Sequence, residues 1–222
     1  MLKSATLLAL VSLPLLAGGA LRTVEVTTQD TLDYTSGAIH IDTRCGQINV
    51  EGWDEPRVAV TVSRTTFRHD TPPEEAAGKR YLERIQVKVT RAQDGGVRIA
   101  TVFPGRNWLV RTVHGFGDFN LNYRIQAPRN AKLAINQGDG DVVVYGMAGD
   151  IDASVSAGDI VVQVPQPDKT AADARVWFGD VFSELPGPVH IAHLTGESYV
   201  ASGAAGAQHL HLKTGVGGIS VQ

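Results

Sequence analysis

The chain is poor in most of what an enzyme or a nucleic-acid binder carries. Only one of its 222 residues is cysteine, Cys45. A single thiol closes no internal disulfide, so the fold must stand on its apolar core. Within "TRCGQINV" Cys45 sits in a strand-like pattern and reads as a small, half-buried side chain. Basic residues are not in excess: 20 Lys and Arg face 23 Asp and Glu, a net charge of −3, which removes nucleic acid from the expected partners. The GxSxG elbow, the phosphate loop, HExxH and the dinucleotide fingerprint are all missing, so the chemistries they support are not expected. Beyond the N-terminus no apolar run is long enough to span a bilayer.

The first twenty residues, MLKSATLLALVSLPLLAGGA, combine a positive start at Lys3, an apolar stretch from Leu7 to Ala17 and small residues at Gly18 and Ala20. That is the layout of a secretory leader cleaved after Ala20, which implies a periplasmic or extracellular mature protein. Lys3 is the only charged residue in the leader, so the mature chain carries 19 basic and 23 acidic residues.

What the chain does have is glycine, 24 residues of it, placed with regularity. "GAIHI" opens at Gly37, "GQINV" at Gly46, "GDVVV" at Gly140, "GDIDA" at Gly149 and "GDIVV" at Gly158. "GDVFS" comes next at Gly179, then "GPVHI" at Gly187, "GESYV" at Gly196, "GAQHL" at Gly206 and "GGISV" at Gly217. Each unit is a glycine followed by alternating apolar positions, the pattern of a short half-buried strand entered through a tight corner. Asp after the glycine suits the turn, since its carboxylate bonds nearby backbone. Two units per lap of roughly 20 residues predict an all-β parallel solenoid, with regular repeats over residues 136–222 and a less regular first half over 35–135. An antiparallel sandwich of hairpins is the competing arrangement. In the solenoid register one edge holds Gly140, Gly158, Gly179, Gly196 and Gly217, and the other holds Gly149, Gly187 and Gly206. The core is expected to hold Val142, Val144, Ile151, Ala153, Ile160, Val162, Ala174, Val176, Val181, Val189, Ile191, Val200, Leu210, Leu212, Ile219 and Val221.

In the first half, "PRVAVTVSRTT", "IQVKVTRA", "GGVRIATV" and "FNLNYRIQAP" alternate as strands. "DTPPEEAAGKRYLERIQ" carries two prolines, then acids, then bases, as a short surface helix does. Residues 21–222 thus read as one domain. The run "NYRIQAPRNAKLAINQGDGDVVVYGMAGDIDASVSAGDIVV", together with "GQINVEGWDEPRVAVTV" near the start, resembles a family of bacterial exported proteins known as putative adhesins. The shared features are a strand ending in Pro128, the step from Arg129 to Leu133, and the Gly-Asp units from Gly138 onward. The resemblance covers roughly Thr35 to Gln222. It implies a β-solenoid and an adhesin-like role, and it brings no catalytic residues with it.

Three sets of residues are candidate sites. The loop from Phe103 to Phe119 joins Arg106, Trp108 and Arg111 to Phe116, Phe119 and His114, a composition found at binding surfaces and equally suited to covering a sheet edge. The solenoid register stacks Asp141, Asp159, Asp180 and Glu197 in one column, where a calcium ion would relieve the repulsion of like charges; the alternative is that each carboxylate bonds its own turn. It also brings His190 beside His209 and His211 on an exposed face, where a transition metal could bind. In addition, Val143, Val161, Phe182 and Tyr199 would form an outward apolar column facing a protein or carbohydrate partner. These features lead to the expectation of a non-catalytic envelope module, adhesin-like, with an envelope protein or carbohydrate as partner and no transmembrane segment after leader cleavage. A carbohydrate-active β-helix enzyme and a regulatory partner in envelope-stress signalling are the alternatives.

Overall fold

Period-two alternation becomes strand almost wherever it occurs, because a pleated backbone sends successive side chains to opposite faces. A computed structural model describes residues 23–66, 72–103, 119–186, 189–192, 195–203 and 207–222. Their strands are β1 (Val24–Asp33), β2 (Ala38–Cys45), β3 (Gln47–Trp53), β4 (Arg57–Thr66), β5 (Gln86–Arg91), β6 (Val97–Val102), β7 (Phe119–Pro128), β8 (Lys132–Asp139) and β9 (Val142–Tyr145). They continue with β10 (Ile151–Ala157), β11 (Ile160–Gln163), β12 (Thr170–Phe178), β13 (Val181–Ser183), β14 (Val189–Ala192), β15 (Glu197–Ala201), β16 (Gln208–Val216) and β17 (Ile219–Val221). The helix expected after Asp70 forms as α1 (Pro72–Glu83).

Two mixed sheets share one apolar core. The first runs β1-β4-β7-β3-β9-β11-β17-β13 and the second β14-β15-β12-β16-β10-β8-β2-β6-β5. This overturns the expected parallel solenoid. β1 pairs antiparallel with β4, and β4 with β7, at one end of the first sheet. β5–β6, β12–β15 and β14–β15 are antiparallel in the second. Strand order also departs from chain order: β16 lies between β10 and β12, and β17 between β11 and β13. The physical reason is that alternation specifies which face of a strand is apolar. It does not specify the neighbour or its direction, since parallel and antiparallel ladders satisfy the same backbone groups.

The glycines do mark corners, in an order that sequence spacing hides. Gly46, Gly140, Gly158, Gly217 and Gly179 all have φ between +116° and +137°. A Cβ built on each of the last four would lie 1.9–2.2 Å from the carbonyl oxygen of the preceding member, so the five form one stack with no room for a side chain. Amide-to-carbonyl bonds tie successive corners: Gly46 N to Asp139 O, Gly140 N to Ala157 O, Gly158 N to Val216 O and Gly217 N to Phe178 O, all 2.8–3.0 Å. Gly196 does not join the stack, because it leads into β15, which runs antiparallel to β12.

Of the expected core, thirteen residues are buried, among them Val142, Val144, Ile160, Val162, Ala174, Leu212, Ile219 and Val221. The side chain of Val189 lies outside the described residues. Ile191 and Val200 face solvent. Val200 pairs with Asp173 and Ser198 with Ile191, in rows on the outer face, whereas Tyr199 pairs with the buried Ala174. A strand one residue out of the assumed register turns every side chain to the other face. Cys45 is buried rather than half-buried, and burial is the largest cause pushing its thiol up to about 12.

Candidate binding surface

The corner column ends at β12 and β13, and that end carries the most exposed large apolar residues described. Trp177 lies one residue past the last core row, which Val176 closes. By alternation it stands on the outer face of the second sheet, 73 % exposed. Phe178 has inward parity but falls beyond the core, opposite Val216, and both are more than half exposed at the corner edge. After Gly179 the chain enters the first sheet, where Phe182 is outward and also more than half exposed. Four large exposed apolar side chains therefore lie within the two strand ends and the corner that joins the sheets, with Gly179 and Asp180 between Phe178 and Phe182.

The bare setting of Trp177 has a local cause. Its neighbours across the two flanking strands are Gly215 and Gly196, given by the pairs Val176↔Thr214 and Val176↔Glu197. A Cβ at Gly215 would meet the Ser156 carbonyl at 2.4 Å, and one at Gly196 the Val176 carbonyl at 2.1 Å. The strands approach too closely for side chains there, so the indole has none beside it on either flank.

The expected site residues scatter. Arg106, Trp108 and Arg111 lie outside the described residues. Phe182 shares its outward row with Val143, Val161 and Ser220, as the pairs Val161↔Val143, Val161↔Ser220 and Phe182↔Ser220 show. Tyr199 does not belong to that row: it is buried in the second sheet, and its hydroxyl donates to the Leu185 carbonyl at 3.5 Å. The acidic column is broken because β17 intervenes and places Gly218 between Asp159 and Asp180. Asp141 Oδ1 accepts the Asp159 amide at 3.0 Å, Asp159 Oδ1 accepts the Gly218 amide at 2.7 Å, and Glu197 Oε2 accepts the Val181 amide at 2.8 Å. These carboxylates fasten one rung to the next, and Glu197 blocks a free donor of edge strand β13.

The histidines also part. His190 stands in register with Tyr199 on β14, separated from β16 by β15 and β12. His209 and His211 share the outer face of β16; the His209 amide donates to Asp150 Oδ1 at 3.1 Å, and His211 Nδ1 is 3.7 Å from Asp173 Oδ2. Among the described residues no group of three or more His, Cys, Asp or Glu is placed to hold a metal ion. Alternation and spacing alone do not single out Trp177, Phe178 and Val216. The usable signal is "VWFGD", two adjacent aromatics immediately before a corner glycine, in a chain with 6 % aromatics.

The fold defines an all-β, two-sheet class with a stacked glycine edge, and it has counterparts. The crystal structure of a "putative cell adhesion protein" from Clostridium sporogenes superposes with a TM-score of 0.50 at 11 % identity, over 88 % of this chain and 98 % of that one. A "putative adhesin" from Parabacteroides distasonis gives 0.26 at 10 % identity, over 88 % and 97 %. A "Putative lipid binding protein" from the same species gives 0.30 at 8 % identity, over 71 % and 70 %. The first likeness is one of fold alone, and the other two superpose too poorly to support any inference. No protein-family model and no curated protein matches the chain. No helix among the described residues is long and apolar enough to cross a membrane.

Proposed function

We propose that the protein is a non-catalytic, adhesin-like binding module of the cell envelope, exported to the periplasm or beyond, and that it engages its partner through the corner of Trp177, Phe178, Val216 and Phe182. The observation that carries the reading is the exposure of these four side chains around one corner of the fold. Leaving large apolar groups in water forgoes about 1.5–3 kcal/mol each, and clustered exposure of this kind marks interaction sites. The fold it shares with the "putative cell adhesion protein" is compatible with the same reading.

The test is capture from a fractionated envelope extract on the immobilised protein. Phe178→Ser with Phe182→Ser is expected to abolish capture while leaving the far-ultraviolet circular dichroism unchanged. Equal capture by wild type and variant would overturn the assignment of the surface. Turnover of a polysaccharide by the purified protein would overturn its non-catalytic character.

A further inference from the structure

Resting on the reading of the protein as a binding module, we propose that the outer face of the second sheet beside Trp177 binds an uncharged glycan chain, one sugar ring stacking on the indole and its neighbours lying across the adjoining strands.

The strand register lays out the floor. One row crosses five adjacent strand positions as Gly138, Ser156, Gly215, Trp177 and Gly196, inferred from the pairs Val155↔Gln137, Val155↔Thr214, Val176↔Thr214 and Val176↔Glu197. At ~4.8 Å per strand this row is ~19 Å long, room for several consecutive sugar rings. Apart from the indole it carries only one hydroxymethyl group. An aromatic standing near one end of a trough of small residues, with glycine on both flanks, is accessible to a flat ligand. Among the described residues no ring contact to Trp177 accounts for that position.

The next two rows supply the polar fringe and decide the charge of the ligand. The nearer row holds Asn136, Ser154, Lys213 and Arg175; the one behind it holds Asp152, His211 and Asp173. Arg175 Nε is 3.2 Å from Asp173 Oδ1. The same rows continue onto β2 with Arg44 beside Gly138 and Asp42 beside Asn136, so three cations and three carboxylates cancel across the face. A polyanion would meet Asp152 and Asp173 without a surplus of positive charge, and an anionic membrane would meet a chain of net charge −3. A chain of hydroxyls suits both signs at once: it donates to the carboxylates and accepts from Lys213, Arg175 and the Asn136 amide. Such groups placed around an aromatic platform fix the orientation of a polar ligand.

The test titrates the full-length exported chain with cellohexaose, maltohexaose and chitohexaose, and with oligogalacturonate as the charged probe, by isothermal calorimetry. Saturable binding of at least one neutral hexasaccharide is expected. It should weaken by about tenfold or more in Trp177→Ala, a loss equivalent to ~1.4 kcal/mol. Trp177→Phe should restore most of it, and Ser156→Gln, which fills the floor, should weaken it. Raising salt from about 0.05 to about 0.5 M should change affinity by less than about twofold, since no net charge is paired. Preference for oligogalacturonate with strong salt dependence overturns the proposal in favour of a polyanion. Binding unaffected by Trp177→Ala overturns the site. Absence of hexasaccharide binding alongside intact envelope capture overturns the glycan and leaves the binding module standing; loss of both removes the two together.

Discussion

Replacing Gly158 by alanine tests whether the glycine corners hold the two sheets together. At φ +137° the backbone of Gly158 is in a region that L residues avoid, at a cost of about 1–3 kcal/mol. The new Cβ would also lie 2.1 Å from the Gly140 carbonyl oxygen and 2.6 Å from its carbon. Both atoms belong to backbone that is stacked on either side, so relief requires the rungs to part by on the order of 1 Å, a gap at which dispersion and hydrogen bonds across it fail. The bonds at risk are Gly158 N to Val216 O and Gly140 N to Ala157 O, both 2.8 Å, each contributing about 1 kcal/mol net. The total is about 3–5 kcal/mol, or a fall in melting temperature of roughly 6–20 °C for a domain of this size. Gly95→Ala is the matched control: φ is +87°, but the nearest atom to its Cβ is Ser36 Oγ at 3.6 Å. Only the backbone term operates there, about 1–2 kcal/mol. Thermal unfolding followed by circular dichroism compares the two. Equal shifts would refute the close-stacked corner as the source of the glycine repeat.

Trp177→Ala should change stability by less than about 0.5 kcal/mol, since the side chain is 73 % exposed; a larger loss in urea unfolding would make Trp177 a structural residue. Cys45, buried and with its thiol pushed up to about 12, should resist Ellman's reagent at pH 8 in the native protein and react fully in guanidinium; rapid native labelling would contradict the burial. The Asp94 carboxylate accepts the Ala38 and Gly96 amides at 3.1 and 3.0 Å, which hold its pKa down at about 2. Its stabilising effect is therefore present above the ordinary carboxylate range and fades as pH falls from about 4 through about 2. Asp94→Asn should reduce stability at pH 7 and flatten that limb of the pH profile, and an unchanged profile would argue against the clamp. Millimolar calcium should leave the melting temperature of the wild type unmoved, because Asp141 and Asp159 already hold amides of adjacent strands; a clear rise would restore a cation site.

The sequence by itself determined the faces. Glycine followed by alternation marks where β2, β3, β9, β10, β11, β13 and β17 begin, and alternation marks which side is apolar, which is why Val142, Ile160, Ala174, Leu212 and Ile219 were legible as core. It also carried the corners, since a positive φ under a stacked carbonyl leaves glycine as the residue that fits. Only the tertiary structure decided which strands are neighbours. Nothing local distinguishes a strand that stacks on the preceding rung from one that, like β16 or β17, slips between two earlier rungs. That order puts β17 between Asp159 and Asp180, and β15 and β12 between His190 and the histidines of β16, so neither column runs unbroken. The antiparallel turn into β15 exchanged Tyr199 for Val200 in the core, and the end of the corner stack left Trp177 and Phe178 in water. Hydrogen bonding and burial satisfy each strand with many partners; the packing of the whole chain selects one set.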